Sequence, residues 1–245
     1  MSADDKSIDI QYRFIFSQGD CLDFHTKLDP RTLEQIHVPL QSPPPWTALE
    51  FCQCSNCPLS SAQHPHCPVA LSIMPLIAGC GGVVSYDKVK LEVTTPERTI
   101  SKETTAQIGI SSLLGLIIAT SGCPHTGFFK PMARFHLPFS SEPETIYRAT
   151  SMYLLAQYFV RKQGGEADLD MEGLTTIYRN IETVNKALAS RLRAAIEQDA
   201  AVNAIVLLDL FAKILPYTID DSLDELSHLF VSFYESDLPN ILSSH

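Results

Sequence analysis

The sequence predicts an α+β protein, with an N-terminal antiparallel β layer and a cysteine-rich metal loop packed on a mainly helical C-terminal half. Three observations predict it. Residues 8–28 alternate apolar and polar side chains. Residues 51–86 hold five of the seven cysteines and no Asp, Glu, Lys or Arg. From residue 104 onward the apolar positions recur at helical spacing.

Ile8, Ile10, Tyr12, Phe14 and Phe16 fall on one strand face, and after Gln18-Gly19-Asp20 the alternation resumes at Leu22, Phe24, Thr26 and Leu28. This reads as a β-hairpin with one buried face, ended by Asp29-Pro30. A third short strand is expected over Leu33–Val38. Pro43-Pro44-Pro45 then forms a stiff spacer, since proline fixes φ and cannot donate to a sheet. Trp46–Gln53 reads as a further strand that leads into the cysteines.

A helical pattern begins at Val69 (Leu71, Met74, Leu76, Ile77, Cys80) and stops at Gly81-Gly82. Pro75 inside it predicts a kink or a later start. Tyr86–Thr94 alternates as a strand. Thr104 or Thr105 caps a helix through Ile108, Leu113, Leu114, Leu116 and Ile117 that ends at Ser121-Gly122. Residues 104–129 carry no charge, which places that helix in the centre of the fold. Ser141 and Glu144 have capping-box spacing for a helix from about 142 to 163, stopped by Gly164-Gly165. Further amphipathic helices are expected over 170–198, 201–215 and 220–235. The chain thus divides into an antiparallel β subdomain (1–56), a cysteine loop with helix and strand (57–100) and a helical region (101–245), integrated as one domain.

The chain has 245 residues, 45 % of them apolar and 19 % charged, enough to bury a core. A formal charge of −10 excludes a generally nucleic-acid-binding surface. No Lys or Arg follows Lys213, while Asp220, Asp221, Asp224, Glu225, Glu235 and Asp237 do, which reads as a solvated acidic face. The polar start lacks the apolar region of a signal peptide, and the longest apolar run, 108–120, is too short to span a bilayer. A cytoplasmic protein that contacts neither membrane nor nucleic acid is expected, with a protein partner or homodimer left open.

The chemistry concentrates in Cys52-Gln-Cys54-Ser-Asn-Cys57-Pro, His64-Pro-His66-Cys67-Pro and Ser121-Gly-Cys123-Pro-His125. A two-residue gap lets the thiolates of Cys54 and Cys57 converge on one ion, and Cys67 returns after nine residues. Tight cysteine spacing in a cytosolic chain favours a metal over disulfides, with plain buried thiols as the remaining alternative. A closed site needs a fourth ligand. Cys52, His64, His66, Cys80 and Cys123 are candidates, and Cys123, at the end of a buried helix, is the one expected. The metal set is therefore Cys54, Cys57, Cys67 and Cys123, with zinc as the cofactor. Prolines after Cys57, Cys67 and Cys123 resemble the Cys-Pro of cluster motifs, so an iron–sulfur cluster is the alternative. Cys21 and Cys80 read as buried hydrophobes.

A second cluster, residues 123–139, suggests a different class: a cysteine- or metal-dependent enzyme with Cys123 as nucleophile and His125 or His136 as base, Lys130 or Arg134 holding an anion. The plainer reading makes Phe128, Phe129, Phe135 and Phe139 core anchors, Lys130 and Arg134 surface charges, and His136 a satisfied, partly buried imidazole. No phosphate-binding glycine loop, H-E-x-x-H or G-x-S-x-G sequence is present.

The segments Cys54-x-x-Cys57-Pro-Leu, His66-Cys67-Pro-Val-Ala, Ser121-Gly-Cys-Pro, Ala133-Arg-Phe-His-Leu-Pro-Phe and Tyr153-Leu-Leu-Ala-Gln-Tyr-Phe resemble a bacterial family of unknown function over most of residues 10–200. The resemblance implies a cytosolic bacterial protein and no particular activity. The function expected is a metal-stabilised binding or regulatory protein of unknown ligand.

Overall fold

The structure, a computed structural model, describes residues 7–36, 42–195, 203 and 223–234. Strands β1 (Ile8–Phe16) and β2 (Cys21–Leu28) form the expected hairpin, with Ile8 opposite Leu28 and Ile15 opposite Cys21. Gly19 takes φ +91° in the connecting turn, which the Gly19 N–H closes on Phe16 O. A residue without Cβ adopts that conformation freely.

Strand β3 (Lys88–Thr94) pairs antiparallel with β1, and β4 (Thr99–Thr105) pairs with β3, giving the order β2-β1-β3-β4. Ile10, Tyr12, Phe14, Leu91 and Val93 lie on the inner face and are at most 1 % exposed. Each such side chain contributes about 1.5–3 kcal/mol by leaving water. The outer face is polar, with Arg13 and Asp23 paired across the hairpin at 2.7 Å.

Two helices cover the inner face: α1 (Pro68–Gly79) and α2 (Ala106–Ala119). Helix α2 approaches so closely that a Cβ on Gly109 would stand 2.6 Å from Phe14 and 2.8 Å from Leu91. The short helix α3 (Lys130–Arg134), then α4 (Glu142–Lys162) and α5 (Glu172–Ala195), complete the helical half. The capping box holds: Ser141 Oγ accepts from Glu144 N–H, and the Glu144 carboxylate accepts from Ser141 N–H. One core runs from Ile8 through α1 and α2 to Leu188, Ala189 and Leu192 of α5, and a second cluster joins α4 to α5 around Ile146, Tyr153, Tyr178 and Ile181.

Several elements differ from the sequence reading. No strand runs through Leu33: Asp29 accepts the N–H groups of Arg31 and Thr32, Leu33 takes φ +55°, and the pairing is a single Leu28–Gln35 bridge. Trp46–Gln53 is likewise no strand. It is a 3-10 turn (Pro45–Thr47) followed by turns and one Ala48–His66 bridge. Helix α1 starts at Pro68, earlier rather than later, and continues through Pro75. Pro75 is exposed, so water can satisfy the carbonyl its missing N–H leaves free, while Val69, Ile73, Leu76 and Ile77 hold both ends to the core. Strand β4 was unforeseen. The expected helix 201–215 lies outside the described residues, save Asn203; within 220–235, residues 223–234 form a helical turn, a 3-10 turn and a last helical turn. Among the described residues, no helix is long and apolar enough to cross a membrane.

Candidate functional site

Three segments deliver the expected cysteines to one region. Cys54 and Cys57 flank a turn in which Cys57 N–H donates to Cys54 O at 3.0 Å. Cys67 is the N-cap of α1, and its own N–H donates to Thr47 O at 2.8 Å. No side-chain bond caps this helix, so its free N–H groups face the Cys67 position, where the helix dipole favours a negative sulfur. Cys123 follows α2 after Gly122, which turns the chain at φ +85°.

The sulfurs sense one another. Burial first, then the charges of Cys67, Cys123 and Cys57, push the Cys54 thiol up to about 12. Arg191 acts in the opposite sense on the same group. Burial also raises the Cys123 thiol, opposed by the backbone N–H groups of His125 and Thr126, with Cys67 adding a further upward push. Four half-buried thiols thus lie within electrostatic reach, beside N–H donors and one cation. Among the described residues, no three His, Cys, Asp or Glu side chains are already gathered closely enough to hold an ion.

Arg191 was not singled out by the sequence. It is 2 % exposed on α5, and its guanidinium donates to the carbonyls of Trp46 (2.5 Å), Ala48 (2.7 Å) and Leu49 (3.2 Å). It fixes the turns that lead into the cysteine loop and brings a positive charge to the Cys54 thiol. Its signal was position: Arg191 follows Val184 by seven residues and Leu188 by three, on the buried stripe of α5.

The histidines separate into distinct roles. Thr47 gives its only hydroxyl proton to Pro44 O at 2.7 Å, so the 2.9 Å contact with His66 must be an Nδ1–H donating to Thr47 Oγ1. That leaves the His66 Nε2 lone pair free. His125 Nε2–H donates to Asn56 O at 2.6 Å, fastening the Cys54–Cys57 turn to the Cys123 loop. His136 meets Tyr12 Oη at 2.5 Å, and Tyr12 also contacts Ser112 at 2.9 Å. Neither ring is hydrogen-bonded to Cys123, so the nucleophile–base pair considered from sequence is not assembled among the described residues.

The remaining expectations divide. Cys80 is buried, but Cys21 is exposed at the start of β2, and Cys52 is exposed with φ +50°. Lys130 and Arg134 pair with Glu34 and Glu97 at 2.8 and 3.1 Å, as surface charges do. Phe129 and Phe139 pack on the core, whereas Phe128 and Phe135 are exposed, because the 3-10 turn over 127–129 and the short α3 can bury only one side.

Comparison with known proteins adds a family and no activity. No curated protein and no solved structure matches the chain. A family model described as a domain of unknown function matches residues 10–231, spanning the β layer, the cysteine loop and the helical half, and the chain belongs to that family, DUF6901.

Proposed function

We propose that this chain is a cytoplasmic binding or regulatory protein whose β layer and helical half are clamped by one zinc ion on Cys54, Cys57, Cys67 and Cys123. The observation that carries the reading is the set of charges felt by the Cys54 thiol: Cys67, Cys123 and Cys57, from three separate segments. The donor set fits zinc, which takes four thiolates in a tetrahedral closed site. The helix N-terminus at Cys67 and the N–H groups after Cys123 favour a deprotonated sulfur, while burial opposes it at Cys54 and Cys123, so the metal itself would have to drive proton release there. Arg191 offsets part of the negative charge that four thiolates would leave on a divalent ion. Ligand binding supplies the proton release and side-chain rotation that bring the sulfurs to bonding distance. The role is structural, because a site with four protein ligands keeps no open position for a substrate.

Elemental analysis and a visible spectrum of anaerobically purified protein test this. One zinc per chain, no colour, and loss of zinc and solubility in Cys57→Ser are expected. A brown, iron-containing protein would assign the same cysteines to an iron–sulfur cluster, and metal-free protein that stays folded would remove the clamp altogether.

A further inference from the structure

A cavity of about 360 Å³ lies beside α2, walled by α2, α3, α4 and α5. It holds none of the four cysteines. At the roughly 30 Å³ that a water occupies in the liquid, it has room for about a dozen non-hydrogen atoms. Its walls are mostly apolar, formed by side chains such as Ile108, Leu116, Met132 and Ile181. Such a lining favours a mostly apolar ligand.

Hydroxyl groups and three larger polar side chains, Asn185, Arg148 and His136, interrupt that lining. Asn185 is 2 % exposed, lines the cavity, and makes no hydrogen bond among the described residues. An amide that lines a mostly apolar cavity without a protein partner has its hydrogen-bonding capacity open to a ligand. Arg148 reaches the same cavity half-buried. Its guanidinium donates to Ser140 Oγ, Met132 O and Phe135 O at 3.0–3.2 Å, which positions the group but neutralises nothing. No carboxylate among the described residues forms an ion pair with it. His136, also in the wall, is held in its neutral form by burial and by the Arg148 charge. Glu144 feels the Arg148 charge but forms no ion pair with it, so the guanidinium in the cavity wall is left without a contacting anion.

We infer that this cavity binds a small monocarboxylate with an apolar tail, the carboxylate paired with Arg148, Asn185 donating its free amide, and the tail filling the space along α2. A cationic ligand would be repelled by Arg148 in the wall, and a neutral alkane would leave Asn185 and Arg148 as they are. The carboxylate satisfies both.

Gly115 gives a clean way to test the site without disturbing it. It lines the cavity at mid-helix, and a Cβ added there meets nothing within 4 Å. Titration calorimetry on the whole chain, with octanoate, octan-1-ol and octylammonium as probes, should show saturable one-to-one binding of octanoate, at least tenfold weaker binding of the alcohol and none of the amine. Gly115→Leu should abolish octanoate binding while the free protein melts no lower than the parent. Asn185→Leu should weaken octanoate at least tenfold and also raise the melting temperature of the free protein, a combination a purely structural Asn185 cannot give. Arg148→Met should weaken octanoate at least tenfold, with folding checked by circular dichroism. Equal binding of the three probes, no saturable octanoate binding at millimolar concentration, or octanoate binding unchanged in Gly115→Leu would each overturn the inference.

Discussion

Arg191 Nη1 lies 2.5 Å from the carbonyl oxygen of Trp46, 145 residues earlier in the chain. With the bonds to Ala48 and Leu49, the guanidinium occupies the acceptors that a strand over 46–53 would have offered to a neighbour. An apolar run with strand-like composition is thereby held as a turn, and the chain leaves it aimed at Cys54.

Replacing Arg191 should therefore unfasten the loop from α5. Arg191→Met strands the Trp46 and Leu49 carbonyls, while Ala48 O keeps the Phe51 N–H, and a loss of about 3 kcal/mol is expected in urea unfolding. Arg191→Lys should recover little, because an ammonium on a flexible stem cannot bond three fixed carbonyls as a planar fork does. A midpoint shift worth less than about 1 kcal/mol for Arg191→Met, or full recovery in the lysine variant, would contradict this account.

The proposed zinc clamp separates cysteines that sequence alone could not rank. Cys52 is exposed and absent from the strongest influences on Cys54, whereas Cys67 heads those from charge. Cys52→Ser should keep full zinc content and the parent melting temperature. Cys67→Ser should lose the zinc, and a chelator should lower the parent to about the same melting temperature. Equal behaviour of the two variants would sink the assignment.

Much of this frame was legible because local physics and tertiary packing agreed. The hairpin alternation matches the Ile8–Leu28 register, and Ser141 with Glu144 forms the capping box its spacing implied. Strand β4 was not legible. Its Ser101, Lys102 and Glu103 are all exposed, so an edge strand held by pairing to β3 shows no apolar alternation. The cysteines could be read by type, but Arg191 and Asn185 could not. Both sit on the buried stripe of α5, where Leu174, Tyr178, Ile181, Asn185, Leu188 and Leu192 recur at intervals of four and three. A polar residue within such a stripe is the signal, and only the partner, or its absence, says what it does.

His136 should make stability depend on pH. Burial, aided by the Arg148 charge, lowers its pKa from 6.5 to about 4. Between those values the unfolded chain binds a proton that the folded chain refuses, so stability rises with pH across the window and is lost as pH falls through it. The contribution is at most about 3 kcal/mol. His136→Gln keeps a side chain able to bond Tyr12 but cannot titrate, so its unfolding free energy should vary less between pH 4 and 6.5 than the parent's. Parallel pH profiles would show that the imidazole is accommodated in its charged form.

The two glycines on the faces of α2 predict opposite signs for the same substitution. A Cβ on Gly109 would stand 2.6 Å from Phe14 and 2.8 Å from Leu91, both at the centre of the sheet and at most 1 % exposed. Neither can retreat without moving β1 or β3, so Gly109→Ala should destabilise by about 1–3 kcal/mol through overpacking. Gly115, six residues on, has nothing within 4 Å of its Cβ position. There alanine lowers the entropy of the unfolded helix segment and meets no neighbour, so Gly115→Ala should stabilise by up to about 1 kcal/mol. Urea unfolding of the two variants beside the parent checks both signs. If both stabilise, α2 stands further from the sheet than the Gly109–Phe14 approach requires; if both destabilise, the cavity beside Gly115 is not empty space.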